Sequence, residues 1–207
     1  MKEKIVVIAT GNAHKVEEFN RLAARAGLRG VRFVSAKEAV PGGMPHVVED
    51  SGTFVGNARL KAAALRALAP ADAFVMADDS GLRVDFLDGA PGVETAYYAG
   101  PQADSAANRA KLLGALAGVP AARRGANFYC LLLLIAPDGG EKIFEGVCPG
   151  TIAERERDAG FGFGYDPLFV PAGHAETFAE LSGEIKDALS HRGKAFDALA
   201  AFLRAAA

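Results

Sequence analysis

At 207 residues, half of them hydrophobic, the chain is long enough to bury a sizeable core and too apolar to be disordered. A net charge of -2 leaves no basic surplus for a nucleic-acid footprint, so any phosphate ligand is expected to be small and neutralised locally. The longest apolar run past the N-terminus, residues 131–136, is far too short to cross a bilayer, and the run at 5–9 is shorter than a signal-peptide core. The expectation is a soluble, cytoplasmic chain forming one domain, or one domain with two lobes.

In chain order, residues 5–9 read as a buried strand running into Thr10-Gly11-Asn12-Ala13-His14-Lys15. The spacing of Val16, Phe19, Leu22, Ala23 and Ala26 reads as an amphipathic helix. A strand-to-helix turn aims unpaired backbone N–H groups and the positive end of a helix dipole at one point, and Lys15 adds a full charge, so a phosphate would fit. Gly-Asn-x-x-Lys is nonetheless neither the dinucleotide fingerprint nor the P-loop, and plain turn chemistry with a solvated lysine explains the same residues.

Residues 31–35 form a second strand candidate, and a Pro-Gly-rich loop over 41–45 precedes Val47-Val48-Glu49-Asp50. A helix is expected over 56–68, with Lys61 one turn past Asn57. Residues 73–77 read as a short buried strand delivering a turn, Asp78-Asp79-Ser80-Gly81. Another strand over 82–87 then ends at Asp88-Gly89. A helix over 104–117 has Asp104 or Ser105 as its cap. Long strands over 128–136 and 141–152 flank Asp138-Gly139-Gly140, a hairpin signal that makes the sheet mixed. A glycine-rich loop over 160–164, a short strand over 168–170 and a closing helix over 195–203 complete the chain. Cys130 and Cys148 suit small buried thiols, and no Cys/His cluster has zinc spacing.

Three constellations carry chemistry. Asp78 and Asp79 end an apolar strand, and burying such charges costs free energy unless a cation or hydrogen bonds compensate. Oxygen-only ligands favour magnesium, and Glu49-Asp50 is a second acidic pair that could share it. An exposed Asp-Asp-Ser-Gly turn is the plainer alternative. In Gly160-Phe161-Gly162-Phe163-Gly164-Tyr165-Asp166-Pro167, glycines let backbone approach a ligand while the rings offer flat faces for a base, although such loops also serve as packing corners. Lys186, Ser190, His191 and Arg192 offer hydrogen-bond donors suited to a base carbonyl, or else a solvated helix start.

Taken together, these blocks resemble the inosine triphosphate pyrophosphatase family. The resemblance runs through Thr10-Gly11-Asn12-x-x-Lys15, Glu49-x-x-Gly52-Thr53-Phe54, Asn57-Ala58, Leu60-Lys61-Ala62 and Ala77-Asp78-Asp79-Ser80-Gly81-Leu82. It continues through Gly89-Ala90-Pro91-Gly92, Gly162-Phe163-Gly164-Tyr165-Asp166-Pro167 and Ser190-His191-Arg192-Gly193. It implies an α/β fold shared with Maf-like proteins: a long central mixed sheet flanked by helices, with two lobes and an active-site cleft between them. It also implies a homodimer, and magnesium-assisted attack of water on the α-phosphorus of ITP, dITP or XTP with release of pyrophosphate.

Carried over by motif, the resemblance gives Thr10, Gly11, Asn12, Ala13, His14 and Lys15 to the phosphates, with Lys61 as a second cation. Glu49 and Asp79 would bind Mg2+, Asp79 also acting as the general base; Asp78 would shape the site and Ser80 contact substrate. Phe163 would stack on the base, Gly164, Tyr165 and Asp166 would complete its loop, and Lys186, His191 and Arg192 would read the base edge. One departure is Tyr97, where bacterial relatives usually carry arginine in a Ser-Ala-Arg-Tyr stretch. A Maf-type pyrophosphatase is the nearest alternative enzyme, against which the His191-Arg192 block argues. A nucleotide sensor without catalysis is the alternative of another class, disfavoured because both Glu49 and Asp79 are present.

Overall fold

The computed structural model describes residues 3–11, 13–160 and 162–205, and of residues 13 and 14 the backbone alone. Asn12, the side chains of Ala13 and His14, and Phe161 therefore lie outside the described residues. Six strands form a mixed sheet in the order β2-β1-β3-β4-β5-β6. They are β1 (Lys4–Ile8), β2 (Val31–Ser35), β3 (Phe74–Val84), β4 (Gly125–Ile135), β5 (Glu141–Ile152) and β6 (Phe169–Pro171). β1 runs parallel to β2 and β3, whereas β6 is antiparallel to β5. The helices are α1 (Ala13–Arg25), α2 (Ala36–Ala39), α3 (Phe54–Arg66), α4 (Ser105–Ala115), α5 (Gly183–Leu189) and α6 (His191–Ala205).

The chain divides into two compact units. The first comprises Met1–Asp79, Leu131–Glu145 and Ala195–Ala207. Its core follows from sequence periodicity: Val6, Val7 and Ile8 of β1 are fully buried, as are Phe19 and Leu22 of α1. Phe19 meets Phe33 at 6.3 Å between ring centroids, and Phe196 of α6 meets Phe33 at 5.4 Å. Burying one such ring contributes about 2 to 3 kcal/mol.

The second unit comprises Ser80–Cys130 and Gly146–Lys194. Phe128, Phe169 and Phe178 form its aromatic centre, packed with Leu82, Leu112 and Leu168. Arg124 is buried here because its guanidinium finds three backbone acceptors, the carbonyls of Leu116, Ile152 and Ala153 at 2.8 to 2.9 Å. Asp104 caps α4 by accepting from the N–H groups of Ala106 and Ala107.

Three expectations need correction. Asp78-Asp79-Ser80-Gly81 is not a turn: β3 runs unbroken from Phe74 to Val84 and absorbs all four residues. Residues 85–87, expected to prolong the next strand, form a 3-10 turn (Asp85–Leu87) instead. The physical reason is partnership. Successive strand residues point to opposite faces, and each carboxylate meets a lysine there, which offsets its burial and lets the backbone stay extended. The closing helix also begins earlier than expected, at His191, because the break falls on Ser190, whose extended backbone (φ -64°, ψ 153°) ends α5 and lets α6 start at once.

Candidate active site

Within the first unit, the β1-to-α1 turn and the acidic stretch of β3 converge. Lys15, in the first turn of α1, donates to both carboxylate oxygens of Asp78 at 2.9 and 3.0 Å. Asp78 has a side chain only 1% exposed, so this charge is stabilised by pairing rather than by solvent. A cavity of about 300 Å³ opens beside the pair, lined by Thr10, Gly11, Lys15, Glu49, Lys61 and Asp78, with residues 44–47 as its other wall. Two lysines and two carboxylates thus line one cavity, each lysine already paired, so it offers both cation and anion ligands.

Lys61, on α3, sits between two carboxylates: its Nζ lies 2.7 Å from Glu49 and 3.0 Å from Asp79. Burial works against the ammonium, but the carboxylates of Asp79, Asp78 and Glu49 outweigh it and hold the Lys61 pKa above its ordinary value. Burial also pushes the Asp79 carboxyl up to about 6, with Lys61 opposing and Glu49 and Asp78 reinforcing the rise. Asp79 Oδ2 and the adjacent Ser80 Oγ are buried without a hydrogen-bond partner among the described residues.

That orphaned oxygen tests the fit of a divalent ion. Among the described residues no three or more His, Cys, Asp or Glu are placed to hold a metal ion together. Magnesium, however, is usually held by one or two carboxylates plus waters and substrate phosphates, and an all-protein cage is not required. Glu49 and Asp79 are drawn to one cation already, and Asp79 keeps a buried oxygen in reserve. The donor set fits.

The second unit gathers the base-loop residues. Residues 163–166 form a β-turn closed by the Asp166 N–H donating to the Phe163 carbonyl at 3.1 Å. Asp166, nearly buried, accepts in return from the Phe163 N–H at 2.9 Å and from Lys186 Nζ at 2.5 Å. Lys186 lies 4.7 Å from the centroid of the Phe163 ring, which is 67% exposed and so presents a flat apolar face. Tyr165 faces inward, its hydroxyl donating to the Thr95 carbonyl at 3.0 Å, so it anchors the loop. Burial raises its pKa, and the phenol stays protonated.

His191 and Arg192 open α6 and are both buried, His191 lying flat against Phe128 at 4.9 Å with 12° between the planes. Gly193 follows because a Cβ there would meet the Asp187 carbonyl oxygen at 2.0 Å, so glycine lets the end of α5 press against the first turn of α6. Its N–H takes the Ser190 hydroxyl as acceptor at 2.9 Å.

A model of the Ham1 family matches residues 6–202. The chain belongs to the Ham1 family. That membership bears out the resemblance drawn from the ordered motif blocks. A relative from Opitutus terrae named dITP/XTP pyrophosphatase is 54% identical over 93% of this chain and 95% of its own. Another of that name, from Streptomyces coelicolor, is 44% identical over 96% of each chain. Among solved structures, the Ham1 protein of Staphylococcus aureus superposes with a TM-score of 0.85 at 36% identity, covering 99% of this chain and all of the other. These matches support a mixed α/β Ham1 fold throughout.

Two residues of this Ham1 chain matter beyond those singled out from sequence. Asn57, nearly buried on α3, accepts at Oδ1 from the Ser51 N–H at 3.2 Å and the Ser51 hydroxyl at 2.8 Å. It thereby ties the turn after Glu49 to the helix that carries Lys61. Its place one turn before Lys61 was the available signal. Arg109 of α4 reaches the Gly164 carbonyl in the base loop, and nothing in the sequence marks that contact.

Proposed function

We propose that this chain hydrolyses non-standard purine nucleoside triphosphates, namely ITP, dITP and XTP, to the monophosphate and pyrophosphate, clearing them before polymerases can incorporate them. The observation that carries the reading is the arrangement at Lys61. One ammonium binds Glu49 and Asp79 beside a lysine-lined cavity, and Asp79 keeps a second, buried oxygen without a described partner. The names of the relatives from Opitutus terrae and Streptomyces coelicolor support the substrate class.

In this reading Thr10, Gly11, Asn12, Ala13, His14, Lys15 and Lys61 hold the phosphates, and Glu49 and Asp79 would hold Mg2+. Bound there, magnesium would supply charge neutralisation for the triphosphate and a Lewis acid for the attacked phosphoryl group. Asp79 takes a proton from water as that water's oxygen bonds to the α-phosphorus and the bond to the bridging oxygen breaks, releasing pyrophosphate. In the metal-free chain burial raises this carboxyl to about 6, so it is ionised at neutral pH and available both to a cation and to a proton. Lys15 and Lys61 offset the charge that accumulates on the phosphates.

Phe163 stacks on the base, and Lys186, His191 and Arg192 donate to the 6-oxo group. An adenine amino group would leave such donors unmet, at about 1 to 3 kcal/mol for each buried donor. We assign the working form to a cytoplasmic homodimer on the family resemblance. Among the described residues no helix is long and apolar enough to cross a membrane.

The test is pyrophosphate release from a panel of ITP, dITP, XTP, GTP and ATP with magnesium. Strong preference for the first three is expected; equal turnover of ATP and ITP, or release of orthophosphate alone, would overturn the reading.

A further inference from the structure

From Phe163 to Pro167, every carbonyl of the base loop but one takes a backbone N–H. The Phe163 carbonyl takes the Asp166 N–H, the Tyr165 carbonyl takes the N–H groups of Leu168 and Phe169, and the Asp166 carbonyl takes the Ala179 N–H. Gly164 is different. It sits at φ +58°, inside the β-turn of residues 163–166, where the central carbonyl points away from the turn's own hydrogen bond. Its partner is a side chain: Arg109 Nη1 donates to it at 2.9 Å. The same guanidinium has its Nε 3.0 Å from a Glu156 carboxylate oxygen, a charge contact without hydrogen-bond geometry, and its side chain is only 17% exposed. Arg109 is itself firmly based. Asp104 caps its helix, and the neighbouring Asn108 is buried, donating to the Ala96 carbonyl at 2.9 Å and accepting from the Ala99 N–H.

We infer that Arg109 is a positioning residue for base recognition: held by Glu156, it fixes the Gly164 carbonyl and thereby the orientation in which the loop presents the Phe163 ring. The planar guanidinium suits this because Nη1 can donate to the carbonyl while the delocalised charge stays beside the Glu156 carboxylate, which an ammonium does less well. Phe163 is mostly exposed, so apart from the Lys186 ammonium over its face the ring takes its orientation from the turn beneath it. An unfixed turn would leave the ring to be ordered when the base arrives, and that cost would appear as lost affinity for the base alone. The inference rests on the reading that Phe163 stacks on a base, but its physical core, the clamping of the turn, does not.

The experiment separates the two. The chain has no tryptophan, so Phe163→Trp provides a single fluorescent reporter on the loop. Arg109→Met in that background is expected to speed depolarisation of the tryptophan and raise its quenching by acrylamide, and Arg109→Lys to restore part of the constraint. In the parent sequence Arg109→Met should raise KM for ITP about tenfold with kcat held within about twofold, reflecting loss of a charge-assisted hydrogen bond. Inhibition by inorganic tripolyphosphate, which has no base, should not change, and Glu156→Gln should give a smaller shift of the same kind. A reporter indifferent to Arg109→Met overturns the clamp. So does equal loss of affinity for tripolyphosphate and ITP, which marks a general structural role. A reporter that responds in a chain that does not bind or hydrolyse ITP leaves the clamp standing and overturns the proposed function instead.

Discussion

Lys61 and Asp79 meet at 3.0 Å while the same ammonium lies 2.7 Å from Glu49, so one positive charge serves two carboxylates. The ammonium thus stands where a divalent ion would compete for the same oxygens. Removing it leaves two neighbouring carboxylates with a stronger demand for a cation. Lys61→Met is expected to tighten binding of free Mn2+ to the nucleotide-free chain by about tenfold or more, read by titration calorimetry or the Mn2+ paramagnetic resonance signal. The same variant should lose kcat/KM for ITP, because a phosphate-binding cation is gone. Unchanged Mn2+ affinity would show that the ammonium and the ion do not compete.

Asp79 sets the pH dependence. Burial holds its carboxyl at about 6, against 3.8 for an unperturbed aspartate, so the folded chain grips this proton more tightly than the unfolded one. The corresponding stability is fully present below the unfolded pKa and is lost as pH rises through about 6. Catalysis runs the other way, since a base must be ionised: kcat/KM should fall on the acid side, with a midpoint below about pH 6 because a bound cation would favour the carboxylate. Asp79→Asn removes the titration. It should abolish turnover while gaining stability over the parent as pH rises from 4 to 7, by an amount bounded at roughly 3 kcal/mol for a shift of this size. Circular-dichroism melts across that range check it, and a variant less stable than the parent at every pH would sink the account.

Much of this was legible in the sequence because it rests on local pattern. Val31–Ser35 was read with its observed bounds, and the apolar spacing of 16–26 located the helix that carries Lys15. The two acidic pairs mark Glu49 and Asp79 as neighbours in the fold, and Lys61 is the group that bridges them here. The acidic stretch of β3 was misread as a turn since turn formers look the same whether or not a lysine far away in sequence neutralises the carboxylates. The grip of Arg109 on Gly164 spans 55 positions and leaves no periodic trace.

Lys15 and Asp78 form a second test of charge pairing. Asp78 is almost fully enclosed, so Lys15→Met strips a bidentate partner from a buried carboxylate and should cost on the order of 3 kcal/mol. Adding Asp78→Asn removes the buried charge that Lys15 offset, and the double variant should recover part of that stability in denaturant titrations. Activity toward ITP should not return with it, because a phosphate-binding lysine is still missing. Recovery of both would mean that Lys15 matters only as the partner of Asp78.

Gly193→Ala reverses a familiar rule. Alanine ordinarily stabilises a helix over glycine by up to about 1 kcal/mol, and Gly114, on the exposed side of α4 with nothing near its missing Cβ, should follow that rule. At Gly193 the added methyl would lie 2.0 Å from the backbone oxygen of Asp187, and a backbone atom cannot step aside as a flexible side chain does. The ends of α5 and α6 must separate, at a cost of about 1 to 3 kcal/mol. The displacement falls next to His191 and Arg192, so KM for ITP should rise while inhibition by tripolyphosphate holds. A Gly193→Ala chain as stable as the parent, with unaltered KM, would show that the helix junction has slack and that this glycine does not set the place of the two residues before it.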